Sequence, residues 1–319
     1  MGIDVEFGMG GGFADKEPGA EELVCRPTPL IEEPNQSVQP VEPNQSVAPD
    51  PPNQSVMPPQ TPQVCEGQPT IDMTKGGQSV PITEPTTVKS ALGDMQVYPD
   101  DFVGPLPPGA VRASEHSKML GIMTGIDAGT SQISVDTSNF TAGKDIFTDP
   151  LGYMKALQDA QNFKDQYTGY LRDLVKTPTG LQLLSQLDSS KYKTKIQQGP
   201  TNQTINDNVP NSLLNADKTK NVGTGSTIEM DPTATTYAKA GQVEQPWMTD
   251  RPRFGFYHEL THAYHDSQGE TATGKHNGVN NWEWQVMGMG DYSKEAVSDN
   301  AIRKDFGKDQ RPNYGGVTW

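Results

Sequence analysis

Two histidines and a glutamate near the C-terminal end of the chain have the types and spacing of a metallopeptidase site. The segment reads His258-Glu259-Leu-Thr-His262. On a helix, residues four apart project from one face, so both imidazoles can reach a single tetrahedral zinc ion. Glu259, rotated by about 100° from the first ligand, would face the open position of the metal and take a proton from the attacking water. Because the chain has only five histidines, a chance occurrence of this motif is rare.

Zinc requires a third ligand from the protein, and two glutamates further along the chain are the candidates. Glu283 and Glu295 lie on separate predicted helices. His265, Asp266, Glu270 and His276 are nearer to the motif, and the first two share its helix at unsuitable angles. A third histidine at His265 would strain the coordination, so a carboxylate from another helix is the better donor. The Glu295 segment resembles that of thermolysin-like proteases, in which a glutamate ligand is followed four residues later by an aspartate that buttresses a zinc-bound histidine. The resemblance implies that Asp299 has this role if Glu295 is the ligand. The residues alone leave this choice open.

Two consecutive helices are predicted before the motif. Asp149 and Pro150 give an N-cap followed by proline at the first helical position. Apolar residues then recur at helical spacing through about Lys176. Thr177-Pro178 repeats the start signal for a shorter helix that ends near Ser190.

Short strands and further helices complete the predicted domain. Residues 192–196 and 226–230 alternate between polar and apolar side chains, which predicts two strands separated by a polar loop. Helices are predicted from Asp250, through the central motif, and then at about 281–287 and 293–306. Helices, a small sheet and more helices predict an α+β domain.

Composition divides the chain into three parts. Most of the 27 prolines precede residue 110, whereas all four tryptophans lie in the last quarter. Residues 1–105 are predicted to be disordered. Residues 106–144 are a linker of uncertain structure, and residues 145–319 form the metalloprotease domain. The first part carries three Pro-Asn-Gln-Ser-Val repeats, at Pro34, Pro43 and Pro52; they read as an extended tether, either a docking segment or a plain linker.

Charge and hydropathy exclude several classes of partner. The net charge of −15 would repel a phosphate backbone, so nucleic acid is not an expected ligand. The sequence contains no run of 18 apolar residues, so no membrane span is expected. The N-terminal residues lack a basic segment followed by an apolar one, so no Sec-type signal peptide is predicted.

Several segments together resemble the NleD-type effector zinc metalloproteases, which bacteria inject into eukaryotic cells by type III secretion. The likeness covers roughly residues 145–319. Similar spacing occurs in the light chains of clostridial neurotoxins. The matching segments are His258–His262, Glu283 with Gly288, Ser298–Arg303, Arg311-Pro-Asn-Tyr314 and the helix start at Thr177.

The resemblance implies a zincin-like fold with one zinc ion per chain. It implies that Glu283 is the third ligand, with Glu295 as the alternative. Arg311 and Tyr314 would border the substrate carbonyl, where both can donate hydrogen bonds to the developing oxyanion. The chain departs from the family pattern at Trp282 and Trp284, where a second acidic residue often accompanies the ligand.

A further acidic and basic pair follows the ligand candidates. Asp299 and Arg303 are four residues apart on one predicted helix face. By the resemblance they would orient the metal ligands from behind. The simpler interpretation is an ordinary i,i+4 salt bridge.

The function that follows is a secreted peptidase that acts inside another cell. The resemblance implies translocation into the host cytosol and a protein substrate, with host signalling kinases as the expected targets. The N-terminal region would then suit a secretion chaperone. Two alternatives remain at this stage: an interbacterial toxin or degradative secreted metalloprotease, and a zinc-stabilised interaction protein in which the repeats are the working element.

Overall fold

A computed structural model describes residues 70–72, 81–238 and 243–319 of the chain. The predicted disorder of the segments before residue 70 and at 73–80 lies outside the described residues. The same holds for the Pro-Asn-Gln-Ser-Val repeats and for any chaperone-binding segment.

The first described elements form a four-stranded sheet followed by a helix. The strands are β1 (Thr70–Asp72), β2 (Thr86–Ser90), β3 (Gly93–Tyr98) and β4 (Val111–Arg112), and helix α1 spans Ala113–Ala128. Strands β2 and β3 form an antiparallel hairpin. β1 pairs with β2, and β4 with β3, in parallel.

This sheet corrects the predicted start of the folded domain. The prediction of disorder is wrong for residues 81–105, and the linker that follows includes a helix of four turns. Val88 is fully buried in the core. Ser90 also points inward, and its hydroxyl accepts a hydrogen bond from the Leu92 amide at 3.2 Å. A buried hydroxyl with a partner costs little, so this strand folds although few of its residues are apolar.

The next part of the chain builds a second four-stranded sheet. Its elements are β5 (Ile133–Asp136), α2 (Ser138–Thr141), α3 (Pro150–Leu174), α4 (Pro178–Ser189), β6 (Thr194–Gln198), β7 (Gln203–Asn206), α5 (Val209–Ser212) and β8 (Ser226–Met230). The strand order is β5-β6-β8-β7. The first three are parallel, and β7 runs antiparallel at the edge.

The two predicted helix starts are confirmed. The Asp149 side chain accepts a hydrogen bond from the Gly152 amide at 2.9 Å, and the Thr177 hydroxyl accepts one from the Gly180 amide at 3.1 Å. Each cap satisfies an amide that the first helical turn leaves free. The predicted strand at 226–230 is confirmed, and β6 lies two residues later than predicted.

The remaining elements carry the chemistry-bearing motifs. They are a 3-10 turn (Pro246–Met248), α6 (Arg251–Gln268), β9 (Lys275–His276), β10 (Val279–Asn280), α7 (Asn281–Met287), a 3-10 turn (Gly290–Tyr292) and α8 (Asp299–Asp305). α6 and α7 match the predicted helices. α8 begins later than predicted because the Ser298 hydroxyl caps it, accepting from the Ala301 amide at 3.2 Å.

Helix α6 is buried over most of its length. Its apolar side chains, Phe254, Phe256, Tyr257, Leu260 and Ala263, are all buried. It packs against β7 and β8 on one side and against α4 and α8. The motif helix is therefore fixed by the core over most of its length.

One hydrophobic core joins both sheets. Val88 and Val97 of the first sheet belong to the same cluster as Ile196 and Ile228 of the second and Leu260 of α6. The observed architecture is mixed α+β, as predicted. The helices in the described part of the chain include none with the length and hydropathy of a membrane span.

Candidate metal centre

His258 and His262 lie one turn apart on α6 and project from the same face of the helix. Their ring centroids are 4.9 Å apart and their ring planes are nearly perpendicular. Both side chains are largely buried, with 8% and 13% of their surface exposed. The two Nε2 atoms point to one region, as the i,i+4 spacing requires.

Glu283 on α7 completes this group. Its Oε2 atom lies 3.2 Å from Nε2 of His258 and 3.4 Å from Nε2 of His262. The three potential ligand atoms lie within 4.8 Å of one another, and this is the one such group among the residues that the structure describes. Glu295, the alternative third ligand, lies in the loop before α8 and does not belong to the group.

The residues on either side of Glu283 hold α7 in place. Trp284 is fully buried, and its indole Nε1 donates to the His276 carbonyl at 3.2 Å. Gln285 accepts from the Ala272 amide at 2.8 Å. Trp282 is partly buried and lines the cavity beside Glu283. The two tryptophans that depart from the family pattern therefore anchor the helix and line the site.

Asp299 lies behind His258 and links it to two arginines. Oδ1 accepts from Nε of Arg303 at 2.7 Å, and Oδ2 accepts from Arg311 at 3.2 Å. The same Oδ2 is 3.7 Å from Nδ1 of His258. Arg303 also donates to the Trp247 carbonyl at 2.8 Å. Asp299 therefore forms the i,i+4 salt bridge with Arg303 and also contacts His258.

The charges of this group shift the pKa values of its members. Burial alone would raise the pKa of Glu283, but the hydrogen bonds from both histidines outweigh it and hold the pKa well below its usual range. Burial would likewise raise the pKa of Asp299, but Arg303, His258 and Arg311 lower it strongly. Burial would lower the pKa of His258, but Asp299 and Glu283 raise it to about 9 in the metal-free protein. Both carboxylates are therefore ionised at neutral pH.

Arg311 is held at the back of the site. Its backbone amide donates to Oδ1 of Asn300 at 2.7 Å, and its carbonyl accepts from Nδ2 of the same residue at 3.2 Å. The guanidinium contacts Asp299 and lies 3.5 Å from Nδ1 of His258. Only 6% of the residue is exposed.

Tyr314 lines the same cavity as His262 and Glu283. Burial and the neighbouring carboxylate of Glu283 raise the pKa of its phenol. The hydroxyl therefore keeps its proton at neutral pH, and it is hydrogen-bonded to Glu283. The backbone amide donates to the Val317 carbonyl at 2.9 Å, which fixes the segment.

Glu259 is buried beside the two histidines, and its position depends on a residue that the sequence did not reveal. The hydroxyl of Thr204 lies 2.9 Å from Oε2 of Glu259 and 2.9 Å from its backbone carbonyl. Thr204 belongs to the edge strand β7, inside the region predicted to be a polar loop. The short alternation at Gln203–Asn206 was the available signal.

A cavity of about 350 Å³ opens beside these side chains. His258, Glu259, His262, Glu283 and Tyr314 all line it. A peptide backbone could therefore approach the carboxylate of Glu259 and the two imidazoles at once.

The two other candidate residues of the motif helix, His265 and Asp266, have partners outside the ligand group. Nδ1 of His265 lies 3.1 Å from Oε1 of Glu270. Asp266 accepts from the Thr271 hydroxyl at 2.7 Å. Neither His265 nor Asp266 belongs to the group of potential ligands, in line with the angles expected on the helix.

Comparison with known proteins assigns the chain to a family. A family model described as "effector protein", Peptidase_M91, matches residues 154–314, about half of the chain. The chain belongs to this family. The matched segment runs from α3 to Tyr314 and contains every site residue named above. No curated protein and no solved structure matches the chain.

Membership of the M91 family confirms the coarser part of the predicted function. The family model is named as a peptidase and described as an effector protein, so the chain is an effector peptidase, which implies a protein substrate. The family also fits secretion into host cells. The first sheet and α1 precede the matched segment.

Proposed function

We propose that this M91 family member is a zinc-dependent endopeptidase of zincin-like fold that acts on a protein inside a host cell. The observation that carries the proposal is the convergence of three donor atoms from His258, His262 and Glu283. They meet in an open cavity beside the carboxylate of Glu259. The identity of the bound metal, the role of Glu283 as its third ligand and the location of the protein target in a host cell are all proposed here.

The chemistry of the donor set fits zinc. Two imidazole nitrogens and one carboxylate oxygen form a usual set for a catalytic zinc ion, which keeps one position open. Asp299 behind His258 fits the acceptor that commonly orients a zinc-bound histidine through its second nitrogen. A single zinc ion per chain would neutralise the ionised Glu283.

Glu259 is the proposed general base. A bound zinc ion would supply Lewis-acid polarisation of the scissile carbonyl and acidify the attacking water. Glu259 would accept the proton of that water and later pass it to the leaving amine. The Thr204 hydroxyl holds one carboxylate oxygen, so the other is free to face the water.

Tyr314 and Arg311 would stabilise the charge that develops on the carbonyl oxygen. The protonated phenol of Tyr314 can donate a hydrogen bond to that oxygen. Arg311 is bonded to Asp299, so it would act through its positive charge and through its hold on His258. Asp299 and Arg303 would keep His258 in position.

The proposal is tested by Glu259→Gln in the full-length, zinc-loaded protein. We expect cleavage of a proteome-derived peptide mixture, counted as new N-termini by mass spectrometry, to fall by at least about 10²–10⁴-fold, the usual contribution of a general base. The zinc content should stay at one ion per chain. Glu84→Gln, at an exposed position outside the site, is the matched control. Equal cleavage by wild type and Glu259→Gln would rule the mechanism out.

The effector description of the family favours a host-cell target over an interbacterial or purely degradative role. We propose host signalling kinases as the first proteins to test, by mapping cleaved N-termini in cells that express the wild type or Glu259→Gln. A zinc-stabilised interaction protein would predict the same biological effect from both. Cleavage that appears with the wild type alone would exclude that alternative.

A further inference from the structure

A second cavity, of about 290 Å³, adjoins the metal centre. It shares four lining residues with the first cavity: Asn202, His258, Glu259 and Tyr314. From these it extends to the first turn of α6 at Arg251. A substrate bound across the site would therefore place one of its side chains in this cavity.

The cavity lies in a cluster of positive charge. Three guanidinium groups surround the ring of Tyr237, at 5.4 Å for Arg251, 6.0 Å for Arg303 and 5.1 Å for Arg311. Asp299 pairs with the last two. Among the described residues no carboxylate lies within ion-pair distance of Arg251, which donates to the Thr236 carbonyl at 2.9 Å and interacts with Asp231 at longer range. The carboxylate of Glu259 also lines the cavity, so three guanidinium groups meet two carboxylates and positive charge is in excess there, in a chain whose net charge is −15.

Three polar atoms around this cavity lack partners. Nε of Arg251, Nε of Arg311 and the hydroxyl of Tyr237 are buried and have no hydrogen-bond partner among the described residues. Buried donors are normally paired, so a cluster of unpaired ones around one space requires an explanation. Arg311 is also more than nine-tenths buried. Donors held in this way match a ligand that brings acceptor oxygens.

Gly255 lines the cavity, and two further polar atoms lie close to it. A Cβ atom on Gly255 would lie 3.0 Å from Nδ2 of Asn202 and 3.5 Å from the Tyr237 hydroxyl. These two atoms therefore face the same small volume. Oδ1 of Asn202 accepts from the Asp231 amide at 2.8 Å, which leaves its amino group as the donor toward the cavity.

We infer that this cavity is a specificity subsite for an oxyanion-bearing side chain of the substrate, a carboxylate or a phosphate, next to the scissile bond. Guanidinium groups match these anions through paired N–H donors. Tyr237 and Trp247 supply aromatic walls beside the charge. The inference rests on the proposed function, because it assigns one side chain of the substrate of that same site.

Cleavage profiling of the full-length, zinc-loaded protein tests the subsite. The probe is a proteome-derived peptide library, one half of it treated with phosphatase. We expect anionic residues to be enriched at one position flanking the cleaved bond. Loss of that enrichment after phosphatase treatment would identify phosphate as the recognised group, and its persistence would identify carboxylate.

Arg251→Gln is the decisive variant, because Arg251 has no place in the proposed catalytic machinery. Loss of a charged hydrogen-bonding partner should lower cleavage of anionic peptides by about 10–100-fold relative to neutral ones. Arg251→Lys keeps the charge, so its cleavage of anionic peptides relative to neutral ones should lie between that of the wild type and that of Arg251→Gln. Arg253→Gln is the matched control: it removes the same charge from the same helix, where Arg253 pairs with Asp173 and Asp250 instead. It should keep the wild-type preference.

Calorimetric titration with phenyl phosphate and with N-acetylaspartate gives a readout that needs no cleavage. Saturable binding that weakens in Arg251→Gln and persists in Arg253→Gln supports the subsite, even if no peptide is cut and the proposed function fails. Peptide cleavage without any anionic preference, or a preference that survives Arg251→Gln, overturns the subsite and leaves the peptidase proposal standing.

Discussion

Helix α6 carries two histidine–carboxylate pairs that look alike by distance and differ in what surrounds them. His258 lies 3.2 Å from Glu283, and His265 lies 3.1 Å from Glu270. Both histidines are buried. In the second pair, Glu270 also contacts Lys220 and accepts from Gln268 at 3.0 Å.

The two pairs differ in how many donor atoms come together and in whether a cavity opens beside them. His258 and Glu283 share their region with the second imidazole of His262 and open on a cavity. The carboxylate of Glu270 is instead neutralised by a lysine and used in local hydrogen bonds. A short distance between a histidine and a carboxylate therefore identifies an ion pair, whereas a third donor and an open approach point to a metal site.

The largest effect should separate the two histidines. His262→Ala should reduce the zinc content from near one ion per chain to near zero and abolish cleavage, because two donors bind zinc far less tightly than three. His265→Ala should keep its zinc. Elemental analysis of the purified, dialysed variants measures both. Loss of zinc from His265→Ala would remove the distinction between the pairs.

A similar contrast concerns the two candidate glutamates. Glu283→Gln should lose zinc and activity together, because the amide carries no charge and is a weaker ligand. Glu295→Gln should retain both, since Glu295 lies outside the convergent group. If Glu295→Gln lost its metal while Glu283→Gln kept it, the group of His258, His262 and Glu283 would not be the metal-binding arrangement.

A smaller effect on zinc affinity is expected from Asp299, which lies behind His258. Asp299→Asn should weaken zinc binding by about 10–100-fold, the usual result of losing the acceptor that orients a ligand. Glu270→Gln, the equivalent change in the other pair, should leave the zinc affinity unchanged. Competition with a chelator, at a temperature where circular dichroism shows both variants folded, measures the two dissociation constants.

The smallest effect is a pH dependence of stability in the second pair. Burial would raise the pKa of Glu270, but His265 and Lys220 outweigh it and lower the pKa below its usual 4.5. The stabilisation from its ionised form is therefore complete above pH 4.5 and is lost as the pH falls through the folded value. Urea unfolding in the presence of EDTA should show Glu270→Gln less stable than wild type at pH 7. The gap should shrink below pH 4.5, and a gap that widened there would contradict this sign.

The motif is predictable from the sequence because its geometry is local. The spacing of His258 and His262 fixes their relative direction on any helix, and the caps at Asp149 and Thr177 are equally local. Glu283 needed a resemblance, because its distance from the histidines depends on how α7 packs. Thr204 was missed because a short polar edge strand carries almost no periodic signal.

The early sheet was missed for a different reason. Proline-rich composition before residue 80 lowered the average hydropathy of the whole region, so the hairpin at β2 and β3 was included in it. The inward positions Thr86 and Ser90 are polar but bury their hydroxyls against backbone groups. Averages over composition do not detect burial of that kind.

The shared core has a consequence for how the protein responds to its metal. Val88 and Leu260 belong to one cluster, although Val88 is in the hairpin and Leu260 lies on the motif helix. An ion that binds the native chain alone adds its binding free energy to every part that unfolds with the site. Slower hydrogen exchange of the hairpin amides after zinc is added would therefore report that the metal centre is loaded.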